Sequence, residues 1–137
     1  ACGARLLSSG GTFPDSPDTF AGMPVARHII FLTDGQLEPS FATYSSYGVE
    51  YLDRRVTGSS TGSGQYESHL QRFRMTCNAA KSMNMSIWVI AFGTTLSTDM
   101  QSCASNANQA STSSNRADLI ARFRQIGSQI GALRLTE

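Results

Sequence analysis

The sequence predicts an α/β fold built on a parallel sheet. Two apolar runs, residues 29–33 within RHIIFLTDG and residues 86–92 within SIWVIAFG, each end in a polar or glycine turn, and between them residues 65–83 carry a helical stripe. A run of consecutive apolar residues without period-2 alternation is how a strand covered on both faces reads. A helix between two such strands makes a βαβ unit, in which the strands run parallel and the crossover is right-handed.

Length and charge narrow the class. At 137 residues and 14.7 kDa the chain holds one domain, residues 1–137, or part of one. Eleven basic and ten acidic residues leave a formal charge of +1, which gives no reason to expect nucleic acid or an anionic membrane as partner. No apolar run approaches the roughly 20 residues that span a bilayer. The sequence opens on Ala1 without an initiator Met, and we read it as a fragment of a larger protein. Cys2, Cys77 and Cys103 form no CxxC and no zinc-type spacing. Three cysteines allow at most one internal disulfide, with one thiol left over.

Residues 1–26 contain Pro14, Pro17 and Pro24 among many Gly, Ser and Thr and are expected to form an extended loop, with the end of a helix over residues 4–7. The strand at 29–33 is expected to be central. Ligands and ions in open α/β sheets collect beyond the carboxyl ends of the strands, which makes Thr33, Asp34 and Gly35 the candidate site and Asp34 its first candidate for chemistry. Asp-Gly is equally a good turn dipeptide.

A long insert follows over residues 36–64, with Phe41, Tyr44, Tyr47 and Tyr51 in its first half. These aromatics could make a recognition surface, but burial of the loop onto its own domain is the commoner use of such residues. The second half, TGSSTGSG, is low-complexity and expected to be mobile.

Over residues 65–83, Leu70, Phe73, Cys77 and Ala80 recur at steps of three and four, the stripe of an amphipathic crossover helix, and His69 lies beside it. After the strand at 86–92, Ser97 or Thr98 can cap a short helix running to Cys103. Residues 106–114 are almost wholly Ser, Thr, Asn, Gln and Ala, which leaves room for a weak edge strand but gives no apolar signal for one. The last helix is the clearest: Asn115 can cap it with Asp118 three residues on, and Leu119, Phe123, Ile126, Ile130 and Leu133 form its apolar stripe. Burying five such side chains contributes about 7 to 15 kcal/mol before entropy is subtracted.

The strings GARLLS, RHIIFLTDG, YGVEYLDRR, CNAAK, IWVIAFG, CAS and LIARFRQIGSQIGALRLTE, in this order and spacing, resemble the carboxyl-terminal von Willebrand factor A-like region of TadG-like proteins of Flp (tight adherence) pilus assembly. The likeness spans nearly the whole chain. It implies a doubly wound, Rossmann-like parallel sheet flanked by helices, of which this chain is the second part. It also implies an extracytoplasmic, membrane-anchored parent protein that helps assemble or anchor adhesive pili, with pilus-assembly or cell-envelope proteins as partners. A disulfide between Cys77 and Cys103 is implied as well, which suits an oxidising compartment and leaves Cys2 as the spare thiol.

In von Willebrand A domains a divalent cation is often held by a D-x-S-x-S motif, a threonine and the aspartate of the T-D-G strand, and Asp34 matches that last position. The resemblance thus implies Mg2+ or Mn2+ in the full-length domain, but no D-x-S-x-S occurs here, the nearest string being Asp15-Ser16-Pro17-Asp18-Thr19. A hard cation takes about six oxygen ligands, and one carboxylate does not make a site. The first half of the domain, including the strand expected beside residues 29–33, is therefore read as missing. An unpaired hydrophobic edge would result, which proteins seldom tolerate, so we expect pairing with another copy or with the missing half.

Three functions follow from these readings. The first is a non-enzymatic interaction module of pilus assembly. The second is a metal-dependent adhesion domain that bridges to an acidic ligand through a cation at Asp34. The third is a hydrolase using Asp34 with His28 or His69, for which no nucleophile, base and orienting group fall into a recognisable arrangement.

Overall fold

The structure, a computed structural model, describes residues 2–10, 17–38, 40, 42–45, 48–58 and 62–132. Its elements are α1 (Cys2–Leu7), β1 (Thr19–Phe20), β2 (Met23–Pro24), β3 (Arg27–Thr33), β4 (Tyr44–Ser45), β5 (Gly48–Val49), α2 (Glu50–Asp53), α3 (Gly62–Ser82), β6 (Met85–Phe92), α4 (Thr98–Cys103), a 3-10 turn (Ala107–Gln109), β7 (Ala110–Ser113) and α5 (Arg116–Ala132). The main sheet has three parallel strands in the order β3-β6-β7, with Ile29 opposite Ile87 and Ile90 opposite Ser111. The chain is thus mixed α/β, a parallel sheet flanked by helices and compatible with a Rossmann-like fold. Among the described residues no helix is long and apolar enough to cross a membrane.

Alternation along β6 builds two cores. Met85, Ile87 and Val89 pack against Cys77 and Ala80 of α3 and against Met100, Cys103 and Ala104, with Ala4 and Leu7 of α1 at the margin. Trp88 and Ile90 point the other way, onto Ile126, Leu119 and Ile130 of α5. Strand β6 is therefore the two-sided strand its apolar run describes. Strand β3, read as central in a complete sheet, stands among the described residues as the unpaired edge expected of this chain. Although Ile29 and Phe31 join the α3-side core, Ile30 and Leu32 are 39% and 46% exposed. The reason is coverage: α5 lies over β6 and β7 and leaves that flank of β3 bare.

Helix α4 is locked to α3 at three heights. Arg74 Nε donates to Asp99 Oδ1, the Cys77–Cys103 disulfide follows with its Cα atoms 5.2 Å apart, and Lys81 Nζ donates to the Ser102 carbonyl at 2.8 Å. The pairing of Cys77 with Cys103 is as the family resemblance implies; the side chain of Cys2 lies outside the described residues. Ser97 caps α4, accepting from Met100 N, and Asn115 caps α5, accepting from Asp118 N at 3.0 Å. Leu133 falls outside the described residues, and Phe123 is 40% exposed rather than buried.

Two local features depart from the sequence reading, and a third settles what it left open. A β1–β2 hairpin interrupts the loop expected over residues 1–26, turned by Ala21 and Gly22 at φ of +51° and +82°. It is tied to the sheet by Arg27, whose guanidinium donates to Pro17 O at 2.8 Å and Asp18 Oδ1 at 3.0 Å. Helix α3 starts at Gly62, so the TGSSTGSG tract ends inside it, while residues 59–61 of that tract lie outside the described set. Finally, the polar stretch 106–114 holds the edge strand that the sequence left open, β7. It is placed by backbone and hydroxyl bonds instead of apolar side chains: Ser105 Oγ accepts from Ile87 N, Ser105 N donates to Ile87 O, and Gly93 N donates to Ser113 O at 2.8 Å.

Candidate functional site

The carboxyl ends of β3 and β6 bring the candidate residues to one rim of the sheet. Thr33 Oγ1 donates to the Gly35 carbonyl at 3.0 Å and accepts from Gly35 N at 3.3 Å, closing a side-chain turn that leaves Asp34 exposed. Gly35 itself does not use positive φ; the left-handed glycine of this rim is Gly93, at +66° after β6. Beyond the turn, Gln36 Nε2 donates to Thr94 Oγ1 and to the Thr95 carbonyl, both at 2.9 Å, so the loop after β3 is fastened to the loop after β6. Nothing in the sequence marked Gln36 for this role, because its partners are 58 and 59 residues away.

Below this latch Leu37 turns inward, and an open cleft of about 310 Å³ is lined by Gln36, Leu37, Glu38, His69, Leu70 and Phe73. Its floor is continuous with the α3-side core through Phe73, whose ring lies 5.9 Å from that of Phe31. A cleft with an apolar floor and a few polar groups at its rim suits an apolar side chain or small apolar ligand better than an ion.

Of the residues proposed for catalysis, His28 and Asp34 stand at opposite ends of one strand. His28 sits at the start of β3, where its Nδ1 accepts from Trp88 Nε1 at 3.4 Å. Asp34 follows the other end of that strand, about 20 Å away at about 3.3 Å per residue. His69 is on α3, beside the cleft. Nor do the residues fit a divalent cation: among the described residues no three His, Cys, Asp or Glu side chains are grouped to hold one, and the hydroxyl of Thr33 is engaged by Gly35. A single exposed carboxylate leaves most of a hard cation's oxygen shell to water.

The insert holds a polar arrangement that the sequence did not announce. Glu50 is buried at 5% exposure, and its carboxylate accepts from Thr57 N and Thr57 Oγ1 at 2.8 Å each and from Val56 N at 3.0 Å. Burial pushes its pKa up, but these donors, first from Thr57 and then from Val56, together with nearby His69, outweigh it and hold the carboxyl below its ordinary value. Asp53 Oδ2 accepts from Val49 N at 3.1 Å, and Arg72 of α3 donates to the Val56 carbonyl at 3.4 Å, which docks the turn on the domain. Gly48 is at φ +90°, and a Cβ there would collide with the Asp53 carboxylate, so glycine is required. Of the four insert aromatics, Tyr44 and Tyr51 are 80% and 53% exposed, against the expectation of burial; Phe41 and Tyr47 lie outside the described residues.

These features define a helix-flanked parallel sheet with a latched loop rim, an apolar cleft and a hydrogen-bonded turn over residues 48–57. A scan of protein-family models, a search of curated proteins and a search of solved structures each find no match to this chain.

Proposed function

We propose that the chain is a non-enzymatic protein-interaction module, the von Willebrand A-like part of an extracytoplasmic, membrane-anchored protein that helps assemble or anchor adhesive pili. The order and spacing of its motifs support the family reading, and the helix-flanked parallel sheet is compatible with it. The buried Cys77–Cys103 disulfide suits an oxidising compartment.

The observation that carries the interaction role is β3. It is paired on one side only among the described residues, exposes Ile30 and Leu32, and over residues 29–33 has no Lys, Glu, Asp or Pro of the kind that blunts sheet edges. Such an edge accepts a further strand, from another copy or from another part of the envelope protein, through backbone hydrogen bonds with Ile30 and Leu32 covered in the process. Sedimentation velocity tests this. Concentration-dependent association that is abolished by Ile30→Lys and by Leu32→Lys supports the reading. A monodisperse monomer at every concentration, with no uptake of an added apolar strand peptide, would refute it.

A further inference from the structure

Three apolar or aromatic side chains of the insert's turn and its adjoining hairpin stand well into solvent. Tyr44 is 80% exposed, Leu52 73% and Tyr51 53%. Tyr44 lies opposite Val49 in the β4–β5 hairpin, and Val49 leads directly into α2, so the three belong to one small unit. That unit is held from inside by the bonds of Glu50 to Val56 and Thr57 and of Asp53 to Val49, and Arg54 ends α2 at φ +49°. Two-torsion aromatics on an ordered backbone lose little freedom when a partner covers them, which is why such residues recur as binding anchors.

The exposed charges of the unit are Asp53, Arg54 and Arg55, an excess of one positive charge. Of its carboxylates, Glu50 is buried and hydrogen-bonded, and Asp53 is engaged by Val49 N, with the 69%-exposed guanidinium of Arg55 4.0 Å from its other oxygen. Arg54 is exposed beside it. We propose that this turn is a docking knob, with Tyr51 and Leu52 entering an apolar recess on a protein partner and Arg54 and Arg55 meeting carboxylates at the rim of that recess. A protein is favoured over a lipid surface because membrane-binding basic clusters carry about four to eight Lys or Arg, and this turn offers two. The surface is separate from the β3 edge and does not depend on it.

The test uses the whole chain with a synthetic amphipathic peptide of alternating Glu and Leu blocks, its Lys/Leu counterpart, and phosphatidylserine vesicles, with binding read by fluorescence anisotropy and by amide NMR shifts. The expected result is salt-sensitive binding of the Glu/Leu peptide that shifts the amides of Tyr51 and Leu52. Leu52→Ser weakens it about 10-fold, and Arg54→Ser with Arg55→Ser removes its salt dependence. Because these side chains are exposed, unchanged protection of the Thr57 amide certifies that each variant keeps the turn. No binding of the Glu/Leu peptide, equal binding of the Lys/Leu peptide, indifference to the substitutions, or binding to vesicles alone overturns the proposal. Shifts confined to β3 and abolished by Ile30→Lys also overturn it, while leaving the edge-strand reading of function standing.

Discussion

Thr57 gives both its backbone N–H and its hydroxyl to the buried carboxylate of Glu50, each at 2.8 Å, and so closes the turn over residues 50–57 on a single acceptor. Removing that acceptor leaves the amides of Val56 and Thr57 without their partner in a half-buried place. Glu50→Ala should therefore raise amide exchange across residues 48–57 by about 10-fold or more while exchange in β6 is unchanged. Gly48→Ala should act in the same direction, through the Asp53 carboxylate it displaces. Unchanged exchange in both variants would mean that the turn is held by other contacts.

The same carboxylate sets an acid limit. A group whose pKa is lowered in the folded state contributes stability that is present above its unfolded pKa and is lost as pH falls through the folded one. Glu50 is such a group, and so is Asp18, lowered by the Ser9 hydroxyl and then by Arg27. Tyrosine NMR signals of the insert should therefore hold constant from neutrality down to the ordinary glutamate pKa and change with a midpoint below it. In Glu50→Gln that insert transition should vanish. A transition centred near pH 6 to 7 would instead assign the switch to histidine.

The disulfide closes a loop whose ends are 26 residues apart, which in the chain-entropy model contributes roughly 3 to 4 kcal/mol. Replacing Cys77 and Cys103 together by Ala should lower Tm by about 10 to 15 °C in a calorimetric scan. A drop of only a degree or two would show that Arg74–Asp99 and Lys81–Ser102 hold α4 in place without it.

Ile126 is 5% exposed between Trp88 and Ile90, whereas Phe123, three residues earlier on the same helix, is 40% exposed. Ile126→Ala should cost about 2 to 5 kcal/mol in urea unfolding, through lost burial and the cavity left behind. Phe123→Ala should cost clearly less. The reverse order would place α5 in a different rotation on the sheet.

Calorimetric titration of Mg2+ or Mn2+ into this chain should give no saturable binding below millimolar concentration, since among the described residues Asp34 belongs to no group of three His, Cys, Asp or Glu side chains. Tight binding that Asp34→Ala removes would favour the metal-dependent adhesion reading instead.

The apolar runs and the helical stripes were enough, as sequence, to show the βαβ unit, the parallel pairing of β3 with β6, the capped α4 and α5, and the rim on which Thr33, Asp34 and Gly35 stand. These features rest on short-range periodicity and capping chemistry, which travel with the residues themselves. Only the tertiary structure decided that β6, not β3, is the strand covered on both faces, because that depends on where α5 comes to rest. The same holds for β7, whose polar residues are recruited by backbone pairing to an already formed β6. It holds for Gln36, which finds Thr94 and Thr95 across the rim, and for Glu50, whose charge is buried only because the chain turns back to supply the donors of Val56 and Thr57. In each case the deciding contact joins groups that no local pattern relates, and folding alone brings them within hydrogen-bonding or van der Waals reach.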